Sequence, residues 1–428
     1  MWRIVKNSSR IADAVGRVFK TSGGVLASCL FCSLTARTQP GSPNPSNTSN
    51  PPAKGIFKQS DLIGIFHTAF HIPARKPVRV EGKTIYFSFV PGGDQTGSPG
   101  TAFLTSTTAA FYAGDRNSSF LSNITFSPYL TFKGRFGYTL RSNIWTNRNE
   151  WDILGDIRFL YYPQYTWGLG GNPAHSNSLL VSYKYVRFYQ TFLKRIRPYL
   201  FAGFGYHFDD HFDMDTMGDS TLLQRFTGYH YGTGSSENSL SSGISVNLLY
   251  DSRRNPVNPI PGFYGNLVYR FNPTFLGSNS YWHSLYADIR RYIPFSHTRQ
   301  NMLAFWTFYW TTLSNHAPYL DLPSLGWDPY QQRSGRGFEQ NRYRGNRLFY
   351  LEGEYRRDLT ANGLLGFVLF SNLNAVSEPV SHRFEYLHPA GGGGLRIRFN
   401  RQSGTNLALD YGFSRNYSAF YLNLGETF

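Results

Sequence analysis

Along most of this chain, apolar and polar side chains alternate with a period of two, the spacing of a strand with one dry and one wet face. Around Asp288, the residues Leu285, Ala287 and Ile289 share one face while Tyr286, Asp288 and Arg290 share the other. Leu395, Ile397 and Phe399 oppose Arg396 and Arg398, and Leu407, Leu409 and Tyr411 oppose Asn406 and Asp410. Phe349, Leu351 and Tyr355 oppose Tyr350, Glu352, Glu354 and Arg356. Read this way, the chain from 84 onward divides into strands at 84–91, 101–113, 119–130, 134–146, 150–161, 178–189, 197–208 and 243–251. Further strands fall at 263–272, 281–292, 301–311, 346–357, 364–374, 392–400, 405–412 and 418–427. About sixteen strands, most near the ~9–11 residues that cross a bilayer at a tilt, predict an all-β fold: a transmembrane antiparallel β-barrel with its charges turned inward. The long connections 209–242 and 313–345 are then outer loops, because such barrels keep their short turns at the periplasmic end.

Composition agrees with that class. With 30 Tyr, 36 Phe, 8 Trp and 42 Gly in 428 residues and a mean hydropathy of -0.36, the chain is too polar for a bundle of membrane helices. It suits a barrel that shows lipid half its side chains and rings both interfaces with aromatics. No internal run approaches the ~18 apolar residues of a spanning helix. A large soluble sandwich is the competing class, and the first segment argues against it. Scattered basic residues up to Lys20, an apolar run 25–34 and the small residue of Leu34-Thr35-Ala36 predict a signal peptide over 1–38 and hence export. Both cysteines, Cys29 and Cys32, would leave with it; the alternative is a lipoprotein box at Leu26-Ala27-Ser28-Cys29. Removal would take six basic residues and one acidic residue and leave a basic chain. Residues 39–83 read as a periplasmic tether, rich in Pro, Ser, Asn and Gly, with a short helix capped at Ser60-Asp61 and running to His71, or else a loop. The barrel would occupy 84–428.

Several patterns fail as chemistry. His67 and His71 have the i, i+4 spacing of a helical metal pair but no third ligand nearby, so no metal site is expected. Gly168-Leu169-Gly170-Gly171 and the glycines 391–394 lack the strand-loop-helix setting that cradles phosphate, so no cofactor is expected. His283 and Ser284 are neighbours on one strand and face opposite ways, which leaves no nucleophile with a base and no enzyme. In an exported barrel the excess of Lys and Arg fits anionic lipid headgroups or plain solvation better than nucleic acid.

One loop stands apart. In Gly335-Arg336-Gly337-Phe338 the glycines free the backbone for a tight turn, so one guanidinium can sit at a loop apex. The carboxylates on the inner face of the strand that follows invite it inward, because a planar guanidinium matches a carboxylate edge to edge.

That loop, with the strand Gly345-Asn346-Arg347-Leu348-Phe349-Tyr350-Leu351-Glu352-Gly353-Glu354, resembles the BamA/TamA surface-antigen family of outer-membrane assembly barrels. The resemblance implies that the loop folds into the lumen and that Arg336, followed by Gly337 and Phe338, meets a glutamate whose place is taken by Glu354. The family's second acidic partner corresponds to Asn372, within Phe370-Ser371-Asn372-Leu373-Asn374, where the match fails. Asparagine is neutral, so the latch should be weaker there or completed by another acid such as Asp410. Asp251-Ser252-Arg253-Arg254-Asn255-Pro256 followed by Pro261-Gly262 is similar to a periplasmic turn of the family. The ending Phe420-Tyr421-Leu422-Asn423-Leu424-Gly425-Glu426-Thr427-Phe428 is similar to a barrel's terminal assembly signal, with Phe420, Leu422, Leu424 and Phe428 toward lipid and Gly425 in the Gly-Glu-x-Phe ending. Members that insert other barrels carry periplasmic domains of seventy to eighty residues, for which 39–83 is too short, so the resemblance is to a barrel-only branch. It implies a bacterial outer-membrane protein, inserted by the barrel-assembly machinery, that assists assembly through a seam between first and last strands. A transport or binding barrel without insertase activity is the alternative.

Overall fold

The computed structural model describes residues 61–62, 64–65, 78–80 and 83–92. From 104 to 428 it describes all but 116–117, 131–133, 217–221, 235–238, 254–257, 260, 296–300, 331–332 and 401–403. The expected signal peptide with Cys29 and Cys32, most of the tether, and His67 and His71 lie outside the described residues. At the expected helix start, Asp61 accepts from the backbone N–H of Gly64 at 2.7 Å through its side chain, as an N-cap does.

Alternation builds almost everything else. β1 (Val78–Val80), β2 (Lys83–Gly92), β3 (Leu104–Phe111), β4 (Ser122–Leu130), β5 (Phe136–Trp145) and β6 (Trp151–Tyr161) come first. They are followed by β7 (Gln164–Thr166), β8 (Leu179–Arg197), β9 (Leu200–Asp215), β10 (Ser239–Asp251), β11 (Gly262–Asn272) and β12 (Trp282–Pro294). β13 (Asn301–Thr312), β14 (Arg347–Asp358), β15 (Leu365–Val376), β16 (His388–Asn400), β17 (Thr405–Phe413) and β18 (Ser418–Leu424) complete the series. The registers are antiparallel between neighbours, with β6 passing over the short β7 to pair with β8. In the strand order β18 stands next to β2. Sixteen strands form this series, with β1 an addition beside β2 and β7 one beside β8. No helix among the described residues is long and apolar enough to cross a membrane.

On β8 the alternation is complete: Val181, Tyr183, Tyr185, Arg187, Tyr189, Thr191 and Leu193 are buried in the lumen. Val186, Phe188, Gln190 and Phe192 occupy the opposite parity, between Lys184 and Lys194. The ten residue steps from Lys184 to Lys194, at ~3.3 Å each and tilted by ~40°, span about 25 Å, the height of a membrane barrel's outer band. This strand is longer than the alternation suggested. The turn expected after Tyr189 lies instead just beyond Arg197, because Gln190, Phe192, Lys194 and Ile196 continue the outward face while Leu193 stays inside. The loop expected at 209–242 shrinks to 216–238, since β9 and β10 pair up to His211 and Ser239.

The sixth outer loop, 313–346, does not stay outside. It packs Leu320, Leu322 and Trp327 against Tyr183 and Tyr185 of β8, and Leu325 and Phe338 against Trp306 and Tyr350. Two apolar clusters therefore join this loop to the buried faces of the strands.

Candidate functional site

The tip of that loop is shaped by its glycines. Gly335 and Gly337 have φ of 81° and 94°, where a side chain is strained. A Cβ on Gly337 would come within 2.9 Å of Ala390 Cβ and 3.0 Å of the Phe413 backbone. Asp328 closes the turn by accepting from the Ser334 N–H at 3.2 Å and hydroxyl at 2.7 Å. The tip then hangs on two tyrosines: the Gly337 N–H donates to the Tyr421 hydroxyl at 2.8 Å, and the Gly335 N–H to that of Tyr350 at 3.1 Å.

Arg336 is held between, 2% exposed. Its Nη1 donates to Asp410 Oδ2 at 2.6 Å, and its Nη2 donates to both Glu352 and Glu354. The guanidinium carbon lies 3.6 Å from the centre of the Phe370 ring, a cation–π contact. Three carboxylates around one cation would repel, and two further arginines offset them. Arg356 donates to Glu354 at 2.6 Å and Arg396 to Asp410 at 2.5 Å. Arg396 also donates to Glu426 at 2.8 Å, which accepts from Asn406 at 2.7 Å.

Of the residues singled out from sequence, Arg336, Gly337, Phe338, Glu354, Asn372 and Asp410 come together here. Asn372 does so differently from the expectation: its amide donates to the backbone oxygen of Arg336 at 2.8 Å rather than accepting from the guanidinium. The terminal segment also departs from expectation. Phe420 faces outward at 69% exposure and Leu422 is half-buried, whereas the side chain of Leu424 is outside the description. Phe428, expected toward lipid, is buried in the lumen at 3% exposure, its ring centre 5.3 Å from that of Trp306. The cause is Gly425, whose φ of 88° ends the strand and turns Glu426, Thr427 and Phe428 inward. Sequence reasoning left Arg396 and Glu426 out of the latch, along with Phe370, Tyr350 and Tyr421. The available signal for the tail was Glu426 itself, a charge at lipid-facing parity.

A second charged layer crosses the other wall. Asp209 accepts from Arg187 at 2.9 Å, from Arg270 at 2.7 Å, and from the hydroxyls of Tyr185 and Tyr189, each at 2.5 Å. Three of its donors stand on β8, the hairpin partner of β9, and the fourth on β11, so the cluster depends on register that no local pattern announced.

Neither a protein-family model nor a curated protein matches this chain. Solved structures do. BamA from Haemophilus ducreyi, solved without POTRA domains 1–3, superposes with a TM-score of 0.51 at 13% identity, over 80% of this chain and 70% of that one. CdiB from Escherichia coli gives 0.50 at 10% identity, over 82% of this chain and 65% of its own. The chain thus spans 65–70% of the length of these two proteins. At such identities the likeness concerns the fold: this is an all-β, BamA/TamA-like barrel.

Proposed function

We propose that the protein is an outer-membrane barrel that assists the assembly of other outer-membrane β-proteins at the seam between β18 and β2. The observation that carries this reading is the attachment of the sixth loop to the terminal strand: its tip is bonded to Tyr421 on β18 and to Asp410 on β17, the strand's neighbour. A loop held this way can steady or release the strand whose far edge lies next to β2. An opened edge would offer main-chain donors and acceptors to a client strand in a medium where unpaired backbone groups are costly. Anionic lipid and the barrel-assembly machinery that inserts this chain are the partners the reading requires. Depleting the protein and quantifying the other outer-membrane barrels by proteomics tests it. Broad loss of barrels supports assembly; an unchanged profile removes that role and leaves a transport or binding barrel.

A further inference from the structure

The hairpin of β8 and β9 is charged differently at its two ends. Lys184 and Lys194 stand at the two edges of the outward face of β8. At the outer edge the charge is matched: Lys184 Nζ lies 2.5 Å from Asp213 Oδ2. At the end that carries the short turns, Lys194, Arg195 and Arg197 are exposed, and none of the three forms an ion pair with a carboxylate among the described residues. Arg195 donates through Nη1 to the backbone oxygen of Arg148 at 2.6 Å and through its N–H to that of Glu150 at 2.8 Å, which fastens the hairpin to the turn between β5 and β6. That turn adds Arg148 and Glu150, both exposed, and the turn between β3 and β4 adds Asp115. Asp251 is gripped through both oxygens by Arg253, and Asp152 is fully buried on the inner face of β6. Four cations therefore stand against Glu150 and Asp115 here, and three of the four are contiguous on the hairpin.

Apolar residues around these cations set their depth. Trp151 stands opposite Lys194 in the register of β6 and β8, with the ammonium 5.7 Å from its ring centre. Phe192 and Ile196 flank Lys194 on the same outward face, and both are exposed. At the turn, the ring centre of Tyr199 lies 6.3 Å from that of Tyr250, and both rings are exposed. Trp and Tyr collect at the level of lipid headgroups, where one edge of the ring is dry and the other wet. A lysine whose stem lies along apolar surface holds its ammonium at that same level. Cations placed there without carboxylates attract lipid phosphates, each basic group near an anionic surface strengthening the attraction ~5-fold.

We propose that Lys194, Arg195 and Arg197, with Trp151 and Tyr199 as an apolar floor, bind the headgroup of an anionic glycerophospholipid in the leaflet at the short-turn end of the barrel. The occupant is a lipid rather than a dissolved anion because Trp151, Lys194 and Ile196 face the bilayer, and only a ligand with acyl chains covers that apolar surface together with the charge. The inference rests on the reading of the chain as a membrane barrel and is independent of the assembly role.

Full-length chain reconstituted into phosphatidylcholine vesicles tests it, with brominated phosphatidylglycerol as a quencher of tryptophan fluorescence and brominated phosphatidylcholine as the reference. The difference between each protein and its Trp151→Phe counterpart isolates the signal of that ring. Half-quenching of Trp151 is expected at a mole fraction of phosphatidylglycerol about tenfold or more below that of phosphatidylcholine, and each of Lys194→Gln, Arg195→Gln and Arg197→Gln should raise it ~5-fold. Arg291→Gln, which removes an exposed outward cation at the same end of β12, should leave it unchanged. Flotation with the vesicles and heat-modifiable gel mobility establish insertion of every variant. A wild type that does not enter the vesicles would overturn the barrel reading and this site with it. For inserted protein, equal half-quenching by the two lipids, a loss with Arg291→Gln as large as with Lys194→Gln, or full relief of quenching by dissolved inorganic phosphate would overturn the site alone.

Discussion

Arg336 and Asp410, 74 positions apart in the chain, meet in the lumen with Nη1 and Oδ2 2.6 Å apart. A loop that begins at the outer surface is thereby tied to the penultimate strand, and Tyr421 extends the tie to the last one. Because the guanidinium also contacts Glu352 and Glu354, its loss takes from Glu352 its paired cation and leaves Glu354 and Asp410 with Arg356 and Arg396 alone.

Arg336→Ala should therefore be the most damaging single change at the latch, within the ~3–5 kcal/mol typical when one member of a buried ion pair is removed. Glu354→Ala should cost less, since Glu352 and Asp410 still hold the arginine and Arg356 keeps Glu426 at 3.8 Å. The double variant should cost less than the sum, because the two share a contact. Urea titration followed by heat-modifiable mobility reads all three, and strictly additive losses would mean that the residues do not act on each other.

Asn372→Asp looks from sequence like a repair, because it restores the acid of the family pattern. The structure gives the opposite sign. The amide of Asn372 donates to the Arg336 backbone oxygen, which a carboxylate cannot do, and the new charge would join Glu352, Glu354 and Asp410. We expect Asn372→Asp to lower the urea midpoint and Asn372→Ala to lower it less. A higher midpoint for the aspartate variant would show that the guanidinium reorients to meet it.

Strand parity was legible because one residue's shift in register moves every side chain to the other face, so Asp288, Asp410 and Glu354 could be placed from their neighbours alone. The turn after β8 was misplaced because Lys194, Arg195 and Arg197 look like turn residues, although a strand that outruns the bilayer also ends in charge. Parity failed at Phe428 because a single glycine in left-handed geometry resets the direction of the chain. The Asp209 cluster was illegible for another reason: it depends on the register between β8 and β9, which alternation does not give, and on Arg270 reaching across from β11.

Phe428 now predicts as a lumen residue. Its ring packs on Trp306 and its backbone oxygen accepts from Arg356 at 3.1 Å. Phe428→Ala should cost about 3 kcal/mol or more, the usual loss for emptying a buried phenylalanine site. Phe420→Ala, on the exposed face, should cost well under that. Urea midpoints in the same detergent compare them, and equal losses would place both rings in equivalent surroundings.

Acidity should tighten the seating of the sixth loop through Asp321. Loss of water around this buried loop residue, and then the charge of Asp209, push its carboxyl up to about 7. In an unfolded chain an aspartate titrates near ~3.9, so the seated loop holds a proton that the unfolded one has released. The contribution is thus fully present below ~3.9, declines as pH rises toward 7, and is gone above it. Protonated Asp321 keeps its bond from the Ser241 hydroxyl, at 2.6 Å, without a second negative charge beside Asp209. Wild-type protein should show a higher urea midpoint at pH 5 than at pH 8, and Asp321→Asn, neutral throughout, should narrow that difference chiefly by gaining stability at pH 8. An unchanged pH difference in the variant would mean that the carboxyl keeps its charge in the seated loop and that other groups set the pH response.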